Sequence, residues 1–229
     1  MSKKVLKIGH RGAKTYVAEN TIASIQKALE LGVDAIEIDV HKCASGELVV
    51  FHDFTLDRMT NGSGEVAKHT LKQLKLLKIN DQYEIPTLDE VLGVVDKNCI
   101  LNIELKGRNT ATGTCQTIET YIKARDWNIN QFIISSFQHQ ELATVYKLNN
   151  QLHLGVLTKA SVVDAIDFAE TINAFAIHPN VALVTKDNVS LAQEKGFKVL
   201  TWTVNDQPTI ERMKAYGVDG IISDNPDVI

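Results

Sequence analysis

Short apolar runs rich in β-branched residues recur along the chain, and segments whose apolar residues have helical spacing separate them. This alternation is typical of βα units built around a largely parallel sheet. The runs predict eight strands, near residues 5–9, 35–40, 100–106, 132–135, 153–157, 174–177, 198–203 and 220–223. Eight parallel βα units in one chain favour a closed (β/α)8 barrel.

Helix start and stop signals lie between these runs. Asn20 or Thr21 is suited to cap a helix that Gly32 ends, and Thr87 with Glu90 forms a capping-box pattern. Signals of the same kind are Ser161-x-x-Asp164, Gly196, Asn205-Asp206-x-Pro208 and Gly217. Because no Pro-, Gly- or Ser-rich linker divides the chain, we expect one domain over residues 1–229.

A ninth β-like run, residues 47–51, does not fit the eight-unit count. It follows the second predicted strand by about six residues, whereas a parallel crossover needs about a dozen or more. The run is therefore predicted to pair antiparallel with that strand through a turn at Ser45-Gly46, with Asp39 opposite His52. The next segment, at about 53–86, is predicted to be a small insertion at the top of the barrel.

Composition places the chain among soluble globular proteins. Of its 229 residues 44% are hydrophobic, and 24 Lys+Arg against 28 Asp+Glu give a formal net charge of −4. No Lys/Arg block could follow a nucleic-acid backbone or an anionic membrane, so we expect no nucleic-acid partner. No apolar run approaches the ~18 residues of a spanning helix, and the N-terminus lacks the apolar core of a signal peptide, so we expect no integral membrane association.

Cysteine usage indicates the compartment. Cys43, Cys99 and Cys115 are an odd number without C-x-x-C spacing, and they imply neither a disulfide framework nor a structural zinc site. A reducing cytoplasm fits this pattern best. The oligomeric state stays open.

Carboxylates gather at the carboxyl ends of the predicted strands, where active sites of such barrels lie. Glu37 and Asp39 share one face of the second strand, and Glu104 lies near the end of the third. Three converging carboxylates would repel one another without a cation, and an all-oxygen ligand set suits Mg²⁺ or Ca²⁺. Each could instead be a rim carboxylate, for example Glu37 or Glu104 paired with Arg11.

Basic and imidazole side chains are predicted at the same end. His10 and His52 come from different segments, and imidazole is suited to acid/base chemistry near neutral pH. Arg11 and Lys106 beside a cation imply an anionic ligand, because a guanidinium, an ammonium and a metal together suit a phosphate group. The constellation predicts hydrolysis of a phosphodiester.

The motifs resemble those of glycerophosphodiester phosphodiesterases over nearly the whole chain. They are, in order, His10-Arg-Gly12, Glu19-Asn-Thr21, Glu37-x-Asp39-Val, Val49-Val-Phe-His-Asp53, Asn61-Gly-Ser-Gly64, Ile85-Pro-Thr-Leu88, Asn102-x-Glu-x-Lys106, Ser136-Phe137, Thr201-Trp-Thr-Val-Asn205, Gly217-Val-Asp-Gly-Ile221 and Asp224-x-Pro226. So many motifs in one order make the resemblance specific. A minor departure is Ser45-Gly46, where the family commonly has Asp-Gly.

The resemblance implies a TIM barrel with a small inserted domain. It also implies one divalent cation at the residues matching Glu37, Asp39 and Glu104, and an acid/base pair at those matching His10 and His52. In that family a free glycerol hydroxyl is thought to attack the neighbouring phosphorus, expelling the alcohol. Water then opens the resulting cyclic phosphate to sn-glycerol 3-phosphate, which places the activity in glycerol and lipid metabolism.

Two further substrate-binding positions follow from the resemblance. Glu19 matches a residue near the phosphate, and Trp202 matches an aromatic residue that borders the glycerol pocket. A strand tryptophan is equally an ordinary barrel-core residue, so both interpretations of Trp202 stay open. The expected substrates are small diesters such as glycerophosphocholine or glycerophosphoethanolamine, and the preferred headgroup and the choice between Mg²⁺ and Ca²⁺ stay open.

Three alternatives remain. A zinc-dependent hydrolase on the same barrel would typically carry His-x-His on the first strand, where this chain has His10-Arg11. A lysophospholipase D-like enzyme would act on lipid substrates, but no apolar membrane-binding segment is evident. A non-catalytic barrel that binds glycerol phosphates would have no need for two histidines beside three carboxylates.

Overall fold

Nine strands and eight α-helices make up the computed structural model, which describes residues 4–229. The strands are β1 (Leu6–His10), β2 (Ala35–Lys42), β3 (Leu48–Val50), β4 (Ile100–Leu105), β5 (Phe132–Ser136), β6 (His153–Thr158), β7 (Ala176–Pro179), β8 (Lys198–Thr201) and β9 (Gly220–Ser223). The helices are α1 (Ile22–Glu30), α2 (Leu71–Leu74), α3 (Leu88–Val95), α4 (Ala111–Arg125), α5 (His139–Leu148), α6 (Val162–Thr171), α7 (Lys186–Glu194) and α8 (Gln207–Tyr216). Residues 1–3, where the expected domain begins and where no signal peptide is expected, lie outside the described range.

Eight of the strands close into a parallel barrel. They pair in the order β1-β2-β4-β5-β6-β7-β8-β9, and β9 pairs again with β1. The predicted (β/α)8 barrel is therefore confirmed, and the strand after β2 is the extra one. Within residues 4–229, every helix is too short or too polar to traverse a bilayer.

The interior of the barrel changes from apolar to polar along the strand direction. A layer of apolar side chains fills its middle: Ile8, Ala35, Ile133, Ala176, Leu200 and Ile222. Two residues further along each strand the side chain points to the same side. At those positions the chain has His10, Glu37, Ser135, His178, Trp202 and Asp224. The period of two thus places polar groups at the carboxyl end of the barrel.

The predicted helix signals are confirmed with one choice resolved. Thr21, and not Asn20, caps α1, because its hydroxyl accepts from the backbone N–H of Ser24. Thr87 forms the capping box of α3, and Gly217 ends α8 with φ 81°, a left-handed conformation that suits glycine.

The β2–β3 ribbon is antiparallel as predicted, but its predicted register is wrong by one residue. Val40 pairs with Val50, which puts Asp39 opposite Phe51 and not opposite His52. The loop has three residues, because Gly46 N–H donates to Cys43 carbonyl and Gly46 adopts φ 107°. A turn followed by a left-handed glycine is a common three-residue hairpin loop, whereas the prediction assumed two residues.

The segment between β3 and α3 has its own apolar cluster at the top of the barrel. Leu56, Val66, Leu74 and Ile79 are buried there, against Phe51 of the ribbon. This segment contains residues 53–86, which the sequence predicts to be a small insertion and which we call the insertion below.

A close contact between β6 and β7 limits the side chain at Gly155. A Cβ atom on Gly155 would lie 2.5 Å from Nε2 of buried His178. Gly155→Ala is therefore expected to destabilise the protein by about 1–3 kcal/mol through overpacking. Gly93→Ala is the matched control, since nothing lies within 4 Å of the added Cβ on helix α3, and it is expected to stabilise by about 0.5–1 kcal/mol. Equal effects of both changes in denaturant unfolding would contradict this prediction.

The imidazole of His178 makes the stability of the fold depend on pH. Burial lowers its pKa to about 3, below the value of about 6.5 that it has in an unfolded chain. Below pH 6.5 the unfolded state therefore binds a proton at His178 that the folded state does not bind. The free energy of unfolding consequently decreases as the pH falls. Between pH 6.5 and 5 the loss is about 2 kcal/mol. In urea unfolding, the stability of His178→Gln is expected to fall by about 2 kcal/mol less than that of the wild type over this interval. Parallel stability–pH profiles of the two proteins would contradict the linkage.

Candidate active site

A cavity of about 790 Å³ opens at the carboxyl end of the barrel. It brings together seven of the nine residues that the sequence singled out: His10, Arg11, Glu37, His52, Glu104, Lys106 and Trp202. Asp39 is buried beside them, with only 1% of its surface exposed, and Glu19 contacts Arg11. All nine predicted site residues therefore lie together.

Three buried carboxylates form the centre of the site. Each of Glu37, Asp39 and Glu104 offers one oxygen, and these three atoms lie within 4.8 Å of one another. Among the described residues, Oε1 of Glu37 and Oδ1 of Asp39 have no hydrogen-bond partner. Buried polar atoms are rarely left unpaired, and three oxygen ligands suit a hard divalent ion. The residues present therefore fit a divalent cation.

The carboxylates have unequal affinities for protons. Burial, together with the charges of Asp39 and Glu104, raises the pKa of Glu37 well above its usual value. Burial and Asp39 raise the pKa of Glu104 to about 7. Burial acts in the same direction on Asp39, but the positive charges of Arg11 and Lys106 outweigh it and lower the pKa. The cluster lacks enough positive charge for all its carboxylates.

Two cations partly neutralise this cluster. Nζ of Lys106 lies 2.8 Å from Oε1 of Glu104 and 3.4 Å from Oδ1 of Asp39. The side chain of Arg11 pairs with Glu19 at 2.7 Å and with Asp39 at 3.3 Å. The prediction that the side chain of Arg11 pairs with Glu37 or Glu104 is therefore wrong, because its partners are Glu19 and Asp39.

The backbone of Arg11 reaches the carboxylate that its side chain does not. Its N–H donates to Oε2 of Glu37 at 3.0 Å. Arg11 adopts φ 54°, a conformation that costs a non-glycine residue free energy. The unusual turn after β1 directs the N–H to Glu37 and the guanidinium to Asp39 and Glu19, so one residue contacts three carboxylates.

Each histidine of the site is held by an aspartate. Nδ1 of His10 lies 2.5 Å from Asp224, and Nδ1 of His52 lies 2.6 Å from Asp53. Because an ionised carboxylate only accepts hydrogen bonds, Nδ1 carries the proton and Nε2 keeps a free lone pair. Burial lowers the pKa of both imidazoles, which favours the neutral form at neutral pH.

Arg58 of the insertion connects the two halves of the site. Its Nη2 lies 2.7 Å from Glu19, and its Nε contacts Asp53, which holds His52. The hydrogen bond from Arg58 lowers the pKa of Asp53 far below its usual value and keeps it ionised. His52, Asp53, Arg58, Glu19, Arg11 and Asp39 thus form one continuous polar chain.

Sequence reasoning missed the roles of four of these side chains. Asp53 and Asp224 stand in the quoted motifs. The position of Asp53 directly after His52 is a local signal for its role. Asn20, which was considered only as a helix cap, donates from Nδ2 to Oδ2 of Asp39 at 2.9 Å. Arg58 carries no local sequence signal, since the fold of the insertion brings it 39 positions back to Glu19.

Trp202 lies at the cavity wall. Its Nε1 donates to the backbone carbonyl of His178 at 2.8 Å, and its ring meets Phe137 edge-on with centroids 5.6 Å apart. Phe137 also lines the cavity. The two rings form an apolar wall beside an otherwise charged site.

Comparison with known proteins identifies chains of similar sequence. The model of the glycerophosphoryl diester phosphodiesterase family matches residues 10–228. A glycerophosphodiester phosphodiesterase of Caldanaerobacter subterraneus subsp. tengcongensis is 39% identical, over 99% of this chain and 96% of that protein. A glycerophosphodiester phosphodiesterase of Bacillus subtilis is 31% identical, over 98% of this chain and 85% of its own length.

Solved structures agree with these sequence relatives. A phosphodiesterase of Oleispira antarctica, in complex with the product sn-glycerol-3-phosphate, superposes with a TM-score of 0.87 and 29% identity, covering 96% of this chain and 93% of that one. A glycerophosphodiester phosphodiesterase of Thermotoga maritima superposes with a TM-score of 0.81 and 26% identity, covering 100% and 98% of the two chains.

The three carboxylates predict opposite effects of one substitution with and without metal. Glu37→Gln removes a repelling charge, so in chelator the variant is expected to melt at or above the wild-type temperature. A saturating divalent ion is expected to stabilise the wild type by about 2.7 kcal/mol at 100 times its Kd, and to leave the variant unchanged. Thermal unfolding in EDTA, Mg²⁺ and Ca²⁺ measures both effects.

The control for this experiment is Glu119→Gln, a change of an exposed carboxylate on α4. It is expected to retain the full stabilisation by the ion. A metal-induced shift of equal size in Glu37→Gln and wild type would exclude Glu37 as a ligand.

Proposed function

The chain belongs to the glycerophosphodiester phosphodiesterase family, and from this membership we propose that it hydrolyses small glycerophosphodiesters to an alcohol and sn-glycerol 3-phosphate. Glycerophosphocholine and glycerophosphoethanolamine are the simplest such substrates. The single observation that carries the proposal is the cluster of two imidazoles, three buried carboxylates and two cationic side chains at one cavity. The related Oleispira enzyme, with that product in its structure, supports the same product here.

We propose that Glu37, Asp39 and Glu104 hold one divalent cation, Mg²⁺ or Ca²⁺. Oε1 of Glu37, which has no partner among the described residues, and the insufficient positive charge of the cluster support this assignment. When bound, the ion would supply Lewis-acid stabilisation of charge on the phosphate oxygens.

Arg11 and Lys106 are proposed to bind the non-bridging oxygens of the diester. Both are fixed before substrate arrives, by ion pairs with Glu19 and with Glu104. Donors that are already oriented need little reorganisation when charge develops on the phosphate. Glu19 is then a positioning residue, because it acts on the substrate through Arg11.

His10 and His52 are proposed to move the protons. The glycerol hydroxyl next to the ester attacks phosphorus, and Nε2 of one imidazole accepts its proton. The other imidazole, when protonated, donates to the oxygen of the leaving alcohol, and a cyclic phosphate remains. Water then attacks this phosphate with the two roles reversed. The internal hydroxyl is already next to phosphorus, so its attack has little entropic cost.

The apolar wall of Trp202 and Phe137 is proposed to contact the carbon skeleton of the glycerol. A charged site that also binds three carbon atoms needs such a surface, and both rings line the cavity. We also propose the cytoplasm as the compartment, where the three free thiols would remain reduced.

The proposal predicts metal-dependent release of glycerol 3-phosphate that requires both histidines. His10→Ala and His52→Ala are each expected to lower kcat by about 10² or more, because each removes a proton-transfer group. Wild-type activity is expected to disappear in EDTA and to return with Mg²⁺ or Ca²⁺. An enzyme-coupled assay of glycerol 3-phosphate with glycerophosphoethanolamine measures all of these effects.

His139→Ala is the matched control, since this histidine is exposed on α5 and lies outside the cavity lining. It is expected to keep wild-type turnover. Full activity of His52→Ala would remove that residue from the mechanism, and undiminished activity in EDTA would overturn the metal assignment.

A further inference from the structure

Two cationic side chains at the mouth of the cavity have no role in the chemistry described above. Arg108 and Lys159 line the cavity and are exposed to solvent. Neither forms an ion pair with any residue in the range 4–229, unlike Arg11, Arg58 and Lys106. Cations that line a site without a protein partner are available for a ligand.

The two cations stand on one side of the mouth. Arg108 follows β4, Phe137 follows β5 and Lys159 follows β6, so three adjacent strands carry them. Nζ of Lys159 lies 5.9 Å from the centroid of the Phe137 ring. The aromatic ring contacts the ammonium group by a cation–π interaction, and β5, which precedes Phe137, lies between the strands that precede Arg108 and Lys159.

The backbone of the Arg108 loop is fixed on both sides. The carboxylate of Glu141 accepts from the N–H groups of Asn109, Thr110 and Ala111, at 2.7, 3.0 and 2.9 Å. Before Arg108, Nε2 of Gln138 donates to the carbonyl of Lys106 at 2.7 Å. The guanidinium therefore extends from an ordered loop, which limits the entropy that binding would cost.

No carboxylate of the cavity lining lies on this side of the mouth, and the nearby carboxylate of Glu141 is buried and accepts hydrogen bonds from the backbone of the Arg108 loop. The carboxylates among the residues that line the cavity are Glu37 and Glu104, which lie buried in the interior. Asp53 and Asp224 are engaged by the two histidines, on the side of β3 and of β9. A ligand group that leaves the interior along β4 to β6 therefore meets positive charge.

We propose that Arg108 and Lys159 bind a negative group on the leaving alcohol, so that this enzyme prefers glycerophosphodiesters whose alcohol carries a carboxylate or a phosphate. The inference rests on the proposed function, in which Arg11, Lys106 and the carboxylates hold the phosphodiester in the interior. The glycerol hydroxyl must lie there as well to reach phosphorus, and the alcohol is the part that extends toward solvent. A purely cationic alcohol such as choline would meet charges of its own sign.

Two substrates that differ by one carboxylate test this inference. Glycerophosphoserine is glycerophosphoethanolamine with a carboxylate added to the leaving alcohol. Wild-type kcat/KM is expected to be about tenfold higher for the serine ester, since each exposed pair contributes a few-fold. The difference is expected in KM rather than kcat, because both contacts exist before the reaction begins, and it is expected to shrink in about 0.5 M salt.

The double variant Arg108→Ala/Lys159→Ala is expected to reduce this ratio to about one while it leaves turnover of the ethanolamine ester within about twofold. Its matched control is Arg125→Ala/Lys147→Ala, which removes one arginine and one lysine from the last turns of α4 and α5. These turns lie at the opposite end of the barrel. The control is expected to keep the wild-type ratio.

The outcomes separate the two proposals. Turnover of both esters with equal efficiency, or with a preference for ethanolamine, would overturn the inference and leave the proposed function standing. A ratio that falls equally in the control would overturn it as well, because net charge would then be the cause. Turnover of neither ester would overturn the proposed function and the inference together.

Discussion

Three buried carboxylates with oxygens within 4.8 Å of one another are the constraint on which the rest of the site depends. Ionised groups in such a place need compensation, since burial and mutual repulsion both favour the protonated form. The side chains of Arg11 and Lys106 provide part of it, and a divalent ion would provide the remainder. The strained turn at Arg11 and the buried amide of Asn20 serve the same need, because both donate to these oxygens.

The insertion belongs to the site as much as the barrel does. Arg58 ties Asp53, and through it His52, to Glu19 and the guanidinium of Arg11. Both histidines therefore have a carboxylate that fixes their tautomer. The carboxylate of Asp53, which holds His52, is itself bound by Arg58 of the insertion. The orientation of His52 therefore depends on the fold of the insertion, whose apolar cluster includes Leu56, two positions before Arg58.

Much of this arrangement follows from local sequence patterns. The period of two along each strand places Glu37 and Asp39 in the interior, and the rule that barrel sites lie at carboxyl ends brings Glu104 and His10 to them. The ribbon register failed because loop length decides it, and Ser45-Gly46 does not reveal whether Ala44 joins the loop. The partners Arg58 and Asp224 depend on long-range packing, which no pattern within a few residues of them encodes.

The contact between His10 and Asp224 joins residues 214 positions apart in sequence. It requires β9 to lie against β1, so the imidazole of His10 has its orienting carboxylate only when the barrel is closed. All residues up to Asp224 must therefore be synthesised before this contact can form, and contacts of such long sequence separation form slowly. Nascent and partly closed chains consequently carry the charged cluster without a correctly oriented His10, and the complete site exists only in a closed barrel.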